Sequence, residues 1–83
     1  MKVLYFAWIR ERVGAAEEEV TPPAEVKTAG DLLNWLRGRD AAHAEALADD
    51  ALIRVAIDRA HADLDSPVSG AAEVAFFPPV TGG

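Results

Sequence analysis

The chain has 83 residues, no cysteine and a formal net charge of -6, from 14 acidic and 8 basic side chains. That length is one small domain; a chain of this size buries about 60–65% of its unfolded surface, too little for a deep enzyme pocket with its supporting shell. The lack of thiols excludes disulfides, a thiolate nucleophile and a cysteine metal site, and scattered Lys and Arg in an acidic chain argue against nucleic acid or an anionic membrane as partner.

Val3 to Ile9 is apolar at every position, which predicts a strand over about Lys2 to Ile9. Its odd residues (Val3, Tyr5, Ala7, Ile9) line one face and its even residues (Leu4, Phe6, Trp8) the other. The run is too short to span a bilayer and leads into Arg10-Glu11-Arg12 without a small-residue cleavage site, so neither a membrane span nor a signal peptide is expected. A cysteine-free chain suits a cytoplasmic location. Arg10 to Ala16 reads as a polar connection, and Glu17 to Thr21 as a short second strand stopped by Pro22-Pro23, the two strands forming a hairpin.

Thr28 is a good helix N-cap with Asp31 three residues on, and Leu32, Leu33, Trp35 and Leu36 form an apolar stripe at helical spacing that Gly38 can stop. Asp40 can cap a second, alanine-rich stretch, Ala41 to Ala48. Leu52 to Ile57 alternates as a strand with Ile53, Val55 and Ile57 on one face. Asp58-Arg59 is a tight-turn pair before a short strand, Ala60 to Leu64. Ser66-Pro67 and Ser69-Gly70 are turns, and Glu73 to Phe77 is the last strand. A helix must bury its stripe against the sheet. If the first and last strands are central and parallel, this order is an α+β, β-grasp (ubiquitin-like) mixed sheet with one main helix across it. A ferredoxin-like fold is the rival, but no second crossover helix is visible among the later strands.

The last strand runs into Pro78-Pro79-Val80-Thr81-Gly82-Gly83. Two prolines end the sheet ladder and keep the backbone extended. Four residues beyond them reach about 13–14 Å. Gly-Gly has no Cβ, so it can thread a narrow channel and present a carboxylate at Gly83. The division expected is a β-grasp domain over residues 1–77 and an extended tail over 78–83.

Val3-Leu4-Tyr5-Phe6-Ala7, followed by Arg10-Glu11 and Val13-Gly14, resembles the opening of the MoaD family, the small subunits of molybdopterin synthase. Glu73 to Gly83 resembles that family's ending without a gap. Two turns depart from the family pattern. Ser69-Gly70-Ala71-Ala72 stands where the family has an Asp-Gly-Asp run, and Asp58 stands where it often has asparagine.

The resemblance implies a β-grasp sulfur carrier. Gly83 would be adenylated by an ATP-using enzyme similar to the ubiquitin-activating type and converted to a thiocarboxylate. The loaded tail would enter the large subunit of molybdopterin synthase and give sulfur to cyclic pyranopterin monophosphate, in a heterotetramer with one carrier at each end of a large-subunit pair. A carrier of the same fold for thiamine synthesis or protein conjugation is the alternative. No cofactor is expected on the chain itself. The basic pocket for a phosphorylated pterin is expected on the partner, since this chain is acidic.

Strand alternation puts Phe76 and Phe77 on opposite sides. If Val74 and Phe76 face the helix, Phe77 points outward beside the tail, with Leu4, Phe6 and Trp8 on the same outer face and His61 close to it. The docking set expected is therefore Phe77, Phe6 and His61 on the sheet, with Pro78, Pro79, Val80 and Thr81 along the tail and Gly82-Gly83 at the working end. His43 has no assigned role, and Glu17-Glu18-Glu19 and Asp49-Asp50 read as solvated charge. With no cysteine and two distant histidines, no metal site is expected.

Overall fold

The computed structural model describes residues 1–79. Five strands form one sheet: β1 (Lys2–Tyr5), β2 (Glu17–Glu19), β3 (Arg54–Ile57), β4 (Ala60–Ala62) and β5 (Glu73–Phe77), in the order β2-β1-β5-β3-β4. The central pair, β1 and β5, is parallel, and its register sets Val3 against Val74 and Tyr5 against Phe76. The other pairs are antiparallel. This is the β-grasp order. Helix α2 (Ala29–Arg37) packs Ala29, Leu32, Leu33 and Leu36 into a core shared with Val3, Tyr5, Val55, Val74 and Phe76. Thr28 and Asp31 cap α2 as the sequence implies, each side chain bonding the other residue's backbone N–H. Asp40 caps α3 (Ala41–Ala46) by accepting from the His43 N–H at 2.8 Å.

The opening differs from the strand expected through Ile9. β1 stops at Tyr5, and Ala7–Val13 is a helix, α1. Phe6 stays extended and Ala7 turns the chain with φ 53°, a left-handed value that costs alanine about 1–2 kcal/mol. The turn is held by the Phe6 N–H donating to the Phe76 carbonyl at 3.2 Å and by Arg10 N–H closing on the Phe6 carbonyl at 3.3 Å. Ile9 is fully buried, but it enters the core from the helix rather than from a strand face. Gly14, at φ 91°, ends α1 as a left-handed C-cap. β1 and β2 do pair, with a helix between them in place of a short loop. β2, β3 and β4 are shorter than expected, while β5 spans Glu73–Phe77 as expected; Leu52 sits in a 3-10 turn, Asp50–Leu52, and is exposed.

Asp58 and Arg59 turn β3 into β4 with φ 48° and 70°. The Asp58 carboxylate also accepts from the Ala72 and Glu73 N–H groups, both at 3.0 Å, tying that turn to the start of β5.

Two residues read as unremarkable are not so. His43 is buried, and Glu18 is not free solvated charge: its Oε1 takes bonds from the Tyr5 hydroxyl and from the His43 ring. These contacts join β1, β2 and α3 from residues far apart in sequence.

Candidate docking face at the root of the tail

Because β5 alternates, Val74 and Phe76 point into the core while Phe77 points to the opposite, helix-free side of the sheet. Phe76 is fully buried and Phe77 half-buried. The register places Leu4, Ala75, Ala56 and His61 in one row across β1, β5, β3 and β4. The two alanines in the middle of that row leave the floor low. A shallow hollow of ≈ 690 Å³ results, with Phe6 and Phe77 at one end and Arg59 and His61 on the β4 side.

Phe6 is 45% exposed. The His61 ring stands edge-on to Phe77, centroids 5.7 Å apart at 76°. The structure thus brings together Phe77, Phe6 and His61. Pro78 is buried and Pro79 exposed. The expectations for Val80, Thr81, Gly82 and Gly83 fall outside the described residues.

Trp8 does not join this face. It belongs to α1, where the Arg12 guanidinium lies 4.8 Å from its ring centroid. With Arg12, Leu52, Pro78 and Pro79 it lines a separate hollow on the other side of the tail root. The sequence reading missed this because a period-2 strand and a helix place residue 8 on different sides.

The outer hollow holds two aromatics, one exposed histidine, and one charge of each sign in Arg59 and Glu73. Among the described residues no nucleophile with an adjacent base lines it. Among the described residues no group of three or more His, Cys, Asp or Glu is arranged to hold a metal ion, and no helix is long and apolar enough to cross a membrane. The arrangement suits protein contact: a shallow apolar hollow with a polar rim, beside the point where the chain leaves the sheet.

Known proteins agree with this geometry. The chain is 40% identical over 83 residues to the molybdopterin synthase sulfur carrier subunit of Escherichia coli, covering all of this chain and 99% of that protein. The crystal structure of SAMP1 from Haloferax volcanii superposes with a TM-score of 0.74 at 30% identity, covering 100% of this chain and 98% of that one. A putative molybdopterin converting factor subunit 1 from Pyrococcus furiosus superposes with a TM-score of 0.73 at 26% identity, covering 95% of each chain. The ThiS family model matches residues 3–83. A β-grasp sheet, an outward phenylalanine at the tail root and a match that runs to Gly83 lead to one conclusion: the chain belongs to the ThiS family, with the MoaD-type sulfur carriers among its relatives.

Proposed function

We propose that this chain is the sulfur carrier subunit of molybdopterin synthase, a cytoplasmic protein whose working group is the Gly83 carboxylate. The observation that carries the reading is the full-length likeness to the Escherichia coli carrier, with a family match that includes Gly82 and Gly83. A carboxylate is a poor electrophile. An ATP-using, ubiquitin-activating-like adenylyltransferase joins AMP to it and so supplies a leaving group. Sulfur then displaces AMP, giving a thiocarboxylate, a polarisable sulfur nucleophile at neutral pH. The tail enters the synthase large subunit and yields its sulfur to cyclic pyranopterin monophosphate. The carrier needs no base of its own for this. It needs reach, thinness and a docking face: Pro78, Pro79, Val80 and Thr81 give the reach, and Phe77, Phe6 and His61 seat the body. The catalytic pocket and its basic residues belong to the large subunit, in a heterotetramer with a carrier at each end. Neither nucleic acid nor a membrane is a partner in this reading.

A second reading is favoured by the likeness to SAMP1, a small archaeal modifier protein. In it the same activated terminus is joined to other proteins. Intact-mass spectrometry of carrier from its own host, followed by a reconstituted assay with large subunit and pterin precursor, separates the two. A thiocarboxylate at Gly83 and formation of molybdopterin are expected. A loaded carrier that forms no molybdopterin but attaches to protein amines would replace the first reading with the second.

A further inference from the structure

We propose that the groove between Trp8, Arg12, Leu52, Pro78 and Pro79 is a second docking surface, which receives a carboxylate-bearing, apolar segment of the synthase large subunit. It rests on the reading of the chain as that subunit's carrier, and it adds a contact on the side of the tail away from Phe77.

The groove measures ≈ 480 Å³ and shares no lining residue with the outer-face hollow. Neighbours in sequence part between the two: Ala7 and Phe77 line the outer hollow, Trp8 and Pro78 the groove. The tail therefore leaves from between two concave surfaces. Phe6 and Leu52, the exposed large hydrophobics among the described residues at 45% and 46%, stand one in each. Gly83, the working end in that reading, comes four residues after Pro79, a reach of about 13–14 Å. A protein whose reacting centre holds Gly83 must bring its body close to Pro79, and so to both hollows.

Charge supplies the chemistry of the occupant. Among the described residues, Arg12 is the one charged residue lining the groove, in a chain of net charge -6. Its guanidinium is held over Trp8, and no carboxylate lies within ion-pair distance among the described residues. A stacked guanidinium keeps its N–H fork free at the edge for a carboxylate. Leu52, Pro78 and the Trp8 ring offer apolar area beside it. The outer hollow, with Arg59 balanced by Glu73, has no such preference of sign. The two surfaces are thus different in kind, one apolar and neutral, the other apolar and cationic.

The test is calorimetric binding of the full-length carrier to the large subunit from the same host, at two salt concentrations, beside thermal melts. Arg12→Glu is expected to raise Kd at least about tenfold at low salt, with a smaller factor at high salt, and Arg12→Lys to recover part of the loss. Leu52→Asp, which leaves the Trp8 stack untouched, removes apolar area and adds a repelling charge, and is expected to weaken binding at least about tenfold at low salt and by a smaller factor at high salt. Wild-type Kd in both Arg12→Glu and Leu52→Asp, with Phe77→Asp impaired, overturns the groove and leaves the carrier reading standing. Loss of loading by the activating enzyme with unchanged large-subunit binding also overturns it, since the groove then serves another partner. No binding by the wild-type carrier overturns both readings.

Discussion

His43 Nε2 lies 2.7 Å from Glu18 Oε1, while Nδ1 of the same buried ring lies 2.8 Å from Asp40 Oδ1. Two carboxylates therefore face the two ring nitrogens, an arrangement suited to the imidazolium, which donates from both. Burial pushes the His43 pKa down, but the bonds and charges of Glu18 and Asp40 outweigh it and hold the value above the ordinary 6.5. Burial likewise raises Glu18, and the His43 and Tyr5 bonds outweigh it, so its carboxyl sits below 4.5. Asp40 is lowered by the His43 backbone N–H and then by the ring. Burial first, and then Glu18, push the Tyr5 hydroxyl well above its usual range.

The sign of the pH dependence follows. The raised histidine contributes stability that is fully present below 6.5 and lost as pH climbs through its folded-state value. The lowered carboxylates contribute stability that is present above their ordinary values and lost as pH falls through their folded-state values. Stability from this cluster is expected to be greatest between about pH 5 and 6.5 and to decline on both sides. His43→Gln is expected to cost about 2 kcal/mol near pH 6 and to flatten the alkaline limb. Urea melts across pH measure both; an unchanged alkaline limb in His43→Gln would remove the imidazolium from the account.

Phe76 and Phe77 are expected to respond oppositely to substitution. Phe76→Ala empties a fully buried site and is expected to lower stability by about 3–5 kcal/mol. Phe77→Asp, on the outer face, is expected to keep the folded circular dichroism spectrum. It places a charge that must be desolvated on docking, at about 2–4 kcal/mol of binding. A pull-down with the large subunit beside the spectrum checks both, and loss of the folded spectrum in Phe77→Asp would invert the face assignment.

The Asp58 turn gives a third expectation. Asp58→Ala leaves the Ala72 and Glu73 N–H groups without their acceptor and puts alanine at φ 48°, with a loss of about 1–3 kcal/mol expected. Asn keeps an acceptor oxygen and tolerates the left-handed backbone, so Asp58→Asn is expected to cost much less. Thermal melts of the pair measure it; equal losses would assign the turn's worth to charge rather than to the hydrogen bonds.

The tail gives the fourth. One residue added after Gly83 moves the carboxylate by about 3.3–3.6 Å, and about 1 Å of misplacement can cost on the order of a hundredfold in rate. Gly82→Val adds a β-branch where bare backbone is expected to thread the channel, and it closes most φ > 0 conformations. Both variants are expected to lose sulfur transfer in an assay with carrier loaded beforehand. Full activity of the extended chain would show that Gly83 is not the working group.

How far the sequence foretold this molecule depends on the range of the signal. Thr28 with Asp31, Asp40, and Asp58-Arg59 are local devices, and each turned out where its residues implied. Phe77 was legible because alternation along a strand needs no distant partner. Helix α1 was not, because Phe6 cannot cap it and its entry depends on an alanine at positive φ held by Phe76. Gly14 was the one local hint, being a common helix stop. Glu18 was indistinguishable from Glu17 and Glu19 by type; only the inward turn of β2's middle residue and the approach of α3 single it out. Leu52 looked like a strand residue and lies instead on the surface, which is why the groove beside Pro79 could not be read beforehand.

The parallel pairing of β1 with β5 has a consequence for synthesis. The middle of the sheet is made from the two ends of the sequence, so the core cannot close until residues 73–77 have been translated. A product cut short before them lacks Val74 and Phe76 as well as everything after Phe77. Such fragments are expected to stay unfolded, whereas a chain cut just after Phe77 keeps all five strands.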